Sequence, residues 1–69
     1  MYSKESIASN IRAERARANL TQSELASITG ISETSIRLYE SAEVMPGFDK
    51  VIAIADALNC TTNKLAGRE

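Results

Sequence analysis

The sequence predicts an all-α domain of five short helices, and three observations carry that prediction. Ala, Leu, Ile, Glu, Arg and Ser dominate the composition, which favours helices, and only three glycines and one proline, Pro46, interrupt them. Apolar residues recur at spacings of three and four, the period of one helix face. Residues suited to capping a helix N-terminus (Ser3, Thr21, Ser32 and Thr61) stand just ahead of these periodic stretches. A chain of 69 residues holds a single domain, 1–69. Such a domain buries only about 60% of its unfolded surface, so association with a second copy would stabilise it.

The first helix runs from about Lys4 to Ala18 behind Ser3. Ile7, Ala8, Ile11, Arg15 and Ala18 form its inward stripe, with Arg15 set among apolar neighbours, and Asn19 can end it in the left-handed conformation. The second opens with Thr21-Gln22-Ser23-Glu24, a capping box in which the Thr21 hydroxyl accepts from the Glu24 amide and the Glu24 carboxylate reaches back. Leu25, Ala26 and Ile28 supply its buried side, and it stops at Gly30. The third follows Ser32 and runs to Glu40. Between the two, Thr29-Gly30-Ile31 forms a tight turn that needs a positive φ, which glycine adopts without a Cβ clash, and Ile31 points inward.

Ser41 to Gly47 form a loop, with Pro46 as a stop signal. The fourth helix, about Phe48 to Leu58, is nearly continuous in apolarity at Val51, Ile52, Ile54, Ala55 and Leu58, which predicts that it is the most buried of the five. Asn59 terminates it. Thr61 caps a last short helix ending near Leu65 and Ala66, and the tail Gly67-Arg68-Glu69 is expected to fray. The expected core comprises Ile11, Leu25, Ala26, Ile31, Ile36, Val51, Ile54, Ala55 and Leu58.

Several function classes are disfavoured. The chain has no histidine, and its one cysteine, Cys60, has neither a base nor a second thiol beside it in sequence, so no catalytic residue, metal site or cofactor is expected. Cys60 reads as a small apolar residue, and the nine carboxylates read mostly as solvated charge. A lone cysteine fits a reducing compartment. Met1 to Glu5 lack a basic stretch followed by an apolar one, so no signal peptide is expected, and no apolar run approaches the ~18 residues of a membrane span. A cytoplasmic protein without membrane contact is expected.

Two short helices joined by a glycine-containing turn form a helix-turn-helix unit, here about residues 22–40. The pattern Gln22-x-x-Leu25-Ala26-x-x-x-Gly30-Ile31-Ser32-x-x-x-Ile36-x-x-Tyr39-Glu40 is more specific than the spacing alone. It resembles the lambda-repressor-like (Cro/cI, Xre-type) regulators of phages and bacteria. Ile11 to Arg15 resemble that family's first helix, Pro46 to Asn59 its fourth helix and exit, and Leu65 its apolar position in the fifth. The resemblance thus covers almost the whole chain and implies a compact five-helix DNA-binding domain acting as a transcriptional regulator, a repressor, on double-stranded DNA.

In that frame the third helix lies in the major groove with its first residues over base edges. The resemblance implies that Glu33, Thr34, Ser35 and Leu38 reach bases, Leu38 through a thymine methyl. Arg37, one step round, would meet a phosphate. Gln22 would hold a phosphate together with the free amides of its helix start, and Ser32 would do the same at the third helix. Arg15 and Glu40 would form a partly buried structural ion pair.

Two features depart from the family pattern. Ser41-Ala42-Glu43-Val44-Met45 carries an acid where relatives often carry glycine and bases, and Glu33 stands where many have a neutral or basic residue. The net charge is −1, whereas a basic domain is the usual footprint of nucleic-acid binding. A protein-interaction module, or an antitoxin-like regulator binding both DNA and protein, is therefore the alternative on the same fold. A basic rim of Arg12, Arg37, Lys4 and Arg17 would favour DNA; an apolar patch bounded by acids would favour protein. A homodimer touching through about Asn59 to Leu65 and reading a palindromic operator is expected, because one short recognition helix makes few base contacts.

Overall fold

The structure, a computed structural model, describes residues 3–68. Met1 and Tyr2, part of the segment read as lacking a signal peptide, and Glu69 of the tail lie outside the described residues. Five helices follow one another: α1 (Lys4–Arg17), α2 (Gln22–Thr29), α3 (Glu33–Glu40), α4 (Phe48–Ala57) and α5 (Thr62–Ala66). No strand occurs among the described residues.

Four of the five helices begin at a side-chain cap, and α4 starts at Gly47 with none. Ser3 accepts from the Ser6 amide, Ser32 from Ser35 and Thr61 from Lys64, so at each start a side chain satisfies one of the orphan amides. At α2 both halves of the capping box form: the Glu24 amide donates to Thr21 Oγ1 at 3.0 Å and the Thr21 amide to Glu24 Oε1 at 2.8 Å. Asn19, Gly30 and Asn59 all take positive φ just beyond their helices. At Gly30 an added Cβ would meet nothing within 4 Å, so glycine is there for its φ of 74° and not for space.

α3 packs on both α1 and α2, α4 packs on α2, and α5 closes the domain against α1 and α4. Between them Ile11, Leu25, Ile36, Ile54, Leu58 and Leu65 are wholly buried, with Ile7, Ala8, Ala26, Ile31, Tyr39 and Ala55 completing the core. Truncating one of the large ones to alanine costs about 2–5 kcal/mol. A domain of this size has roughly 3.5–10 kcal/mol of stability to lose.

Several expectations need correcting. Val51 is only half-buried, and α4 is not the most buried helix: Ile52 and Phe48 are exposed, Phe48 at 76%, because only the Ile54–Ala55–Leu58 side faces the core. Ile28 is also exposed; Thr29, one turn beyond Leu25, takes the inward position and donates to the Leu25 carbonyl at 2.8 Å. Glu14, expected to be solvated charge, is a buried residue of α1, held by Arg17 one turn on at 2.6 Å. Leu65, placed in the dimer contact, is wholly buried within its own domain, where Asn10 Nδ2 donates to its carbonyl at 2.9 Å. The tail holds its form through Arg68: Gly67 is left-handed, and the Arg68 amide donates to the Asn63 carbonyl at 2.9 Å.

Candidate functional site

α3 is short and amphipathic. Ile36, Tyr39 and Glu40 point inward, which leaves Glu33, Thr34, Arg37 and the half-buried Leu38 on the outer side. What fixes the pose of that outer side is the Glu40 carboxylate, only 3% exposed. It accepts from Arg15 Nε at 2.7 Å and Arg15 Nη2 at 3.0 Å on α1, and from Gln22 Nε2 at 3.0 Å on α2. Arg15 Nη1 also donates to the Leu20 carbonyl at 2.8 Å, and an Arg12 guanidinium N–H donates to the Glu40 carbonyl. Three helices are thus tied at one buried carboxylate. The hydrogen bond to Glu40 raises the pKa of Arg15 above its ordinary value, outweighing the opposing effect of burial.

Beside this knot runs a shallow groove of about 420 Å³, lined by Arg12, Gln22, Thr34, Arg37, Leu38, Glu40, Ser41 and Glu43. Of the residues singled out from sequence, Gln22, Thr34, Arg37 and Leu38 meet in this groove. Ser32, Glu33 and Ser35 do not line it. Ser32 and Ser35 are engaged with one another, their hydroxyls 3.0 Å apart and the Ser35 amide donating to Ser32 at 3.1 Å. Glu33 sits one turn before Arg37 and pairs with it at 3.3 Å.

Arg12, expected on the basic rim, also lines the groove although it lies outside the 22–40 motif. Its signal in the sequence is a cation three residues ahead of Arg15, on the neighbouring side of α1. Lys4 and Arg17 do not line the groove, so the rim carries two arginines opposed by Glu43, whose carboxylate lies 2.8 Å from the Ser41 hydroxyl. A second groove, of about 330 Å³, opens away from α3 and is largely apolar; Ile7, Met45, Phe48, Val51, Asn63 and Ala66 are among its lining. Among the described residues no cluster of His, Cys, Asp and Glu could hold a metal ion, and no helix is long and apolar enough to cross a membrane.

Two helices joined through a left-handed glycine, the second presenting an exposed polar face, define a helix-turn-helix domain. The family model described as Helix-turn-helix (HTH_3) matches residues 11–65, and the chain belongs to that family. It is 42% identical over 55 residues to the cryptic phage CTXphi transcriptional repressor RstR of Vibrio cholerae. That alignment takes in 80% of this chain and 49% of the repressor, so the chain spans about half the length of that relative. It is 38% identical over 66 residues to the control protein C.SmaI of Serratia marcescens, covering 96% of this chain and 79% of that protein.

Among solved structures, the phage P22 c2 repressor in complex with a synthetic operator superposes with a TM-score of 0.84 at 27% identity, covering 91% of this chain and 96% of that one. The solution structure of the DNA-binding domain of the same repressor gives a TM-score of 0.84 over 94% of this chain and 87% of that one.

Proposed function

We propose that the chain is a sequence-specific regulator of transcription, a repressor, that reads double-stranded DNA by laying α3 in the major groove. The observation that carries this reading is the groove in which Thr34, Arg37 and Leu38 of α3 meet Gln22 and Arg12, held by the Arg15–Glu40 knot. Thr34 and Leu38 project toward base edges, with Glu33 and Ser35 flanking them. Gln22, Ser32 and Arg37 serve the phosphates, and a helix start with free amides suits that task. The relatives support the reading, since they include a transcriptional repressor and a repressor that binds an operator.

The chain forms one domain, works in the cytoplasm without a cofactor, and performs no catalysis. It acts as a two-fold homodimer, its two α3 helices about 34 Å apart on a palindrome. Contacts come from the exposed residues between Asn59 and Lys64 and from the adjoining apolar groove at Met45 and Phe48. A second reading rests on that apolar surface. Val44, Met45, Phe48 and Ile52 are all exposed, and a protein-interaction module would use them to bind a different chain.

A fluorescence-anisotropy titration against randomised duplexes, with selection of the bound sequences, separates the two. A repressor enriches a palindromic sequence; absence of any bound DNA at ~50 mM salt and about micromolar protein leaves the interaction module.

A further inference from the structure

We propose that Glu33 selects a cytosine beside the bases met by Thr34 and Leu38, and that its ion pair with Arg37 couples that choice of base to phosphate binding. A cytosine N4 amine takes the place of Arg37 at the Glu33 carboxylate, and the freed Arg37 turns to the DNA backbone. The inference rests on the DNA-binding reading above and deepens it.

The pair spans one helical turn, Glu33 Oε2 to Arg37 Nη1 at 3.3 Å, with the side chains 44% and 56% exposed. So open a pair is weak and exchanges readily with other partners. Arg37 also lines the groove, together with Arg12 and Glu43. The surface offered to a duplex therefore sets Glu33 and Glu43 against Arg12 and Arg37, and charge alone gives it little attraction for DNA.

A carboxylate only accepts hydrogen bonds. In the major groove guanine presents two acceptors, thymine an acceptor and a methyl, and adenine an amine beside an acceptor; cytosine alone presents an amine with no acceptor on the same base. Glu33 is thus repelled or unsatisfied at most sequences and satisfied at cytosine. Where it accepts from N4, Arg37 loses its counter-charge and gains a phosphate, releasing a counterion. Elsewhere Arg37 stays with Glu33 and adds little. The acid therefore suppresses non-specific binding and rewards the correct site.

The test takes duplexes selected by the wild-type chain and measures affinity by anisotropy at two salt concentrations. Wild type, Glu33→Gln, Arg37→Gln and the double variant are compared, with circular dichroism to check that each folds. The selected site should contain a cytosine whose change to thymine, with the opposing base changed to match, weakens wild type roughly ten- to a hundredfold and Glu33→Gln less than about threefold. On a scrambled duplex Arg37→Gln should leave affinity nearly unchanged when Glu33 is present. In the Glu33→Gln background it should weaken binding several-fold and lower the salt slope by about one. Binding whose preference for that cytosine survives Glu33→Gln, or an Arg37→Gln effect equal in both backgrounds, overturns the coupling and leaves the DNA-binding reading standing. No binding of any duplex by wild type at low salt overturns both.

Discussion

Replacing Arg15 by methionine removes the cation from the buried knot and keeps most of the side chain's bulk. Glu40, 3% exposed, then loses two of the three side-chain hydrogen bonds it accepts and keeps only the one from Gln22. Stranding a buried charge costs about 3–5 kcal/mol, and the partial exposure of Arg15 puts the expected loss near the lower end, about 3 kcal/mol. In a domain this small that corresponds to a fall in Tm of roughly 12–24 °C.

Glu40→Leu should cost less, about 2 kcal/mol, because Arg15 is 21% exposed and keeps both water and the Leu20 carbonyl. The double variant Arg15→Met/Glu40→Leu leaves no stranded charge. It should be less destabilised than the sum of the two by at least about 1.5 kcal/mol. Urea unfolding followed by circular dichroism on the four proteins measures this. An additive double variant, or an Arg15→Met loss below about 0.5 kcal/mol, would refute the assignment of the knot as the anchor of α3.

The sign of the pH dependence follows from the raised pKa of Arg15. A cation stabilised by folding contributes fully below its unfolded pKa, and the contribution is lost only as pH rises through the higher folded value. The contribution of the Arg15 cation should therefore show no loss as pH rises to about 9.

Two further outcomes are expected. Ala42 holds a φ of 66° after α3, where the Glu43 and Val44 amides donate to the Leu38 carbonyl. Left-handed backbone costs a non-glycine residue about 1–2 kcal/mol. Ala42→Gly should therefore stabilise the domain by about 0.5–1 kcal/mol after the greater freedom of glycine in the unfolded chain is subtracted, read as a higher urea midpoint. Thr34→Ala should weaken the selected duplex by about 1–3 kcal/mol and leave a scrambled duplex unaffected; equal weakening of both would assign Thr34 to the backbone instead of to a base.

What the amino-acid sequence determined by itself is what closes within a turn of helix. The caps at Ser3, Thr21, Ser32 and Thr61 and the left-handed exits at Asn19, Gly30 and Asn59 are satisfied by partners at most about five residues away, so their residue types reveal them. The turn that sets α3 against α2 is of this kind. Which side of each helix is covered is decided by elements remote in the chain. Apolarity in α4 says nothing about whether Ile52 or Ile54 meets a neighbour; packing on α2 and α5 exposes the first and buries the second. The same holds for the buried Glu14, for Gln22 bonded to Glu40 across 18 residues, and for Arg12 entering the groove from α1. A charged or polar side chain finds its place through whichever partner the fold brings within hydrogen-bond reach, and no local spacing encodes that partner's position.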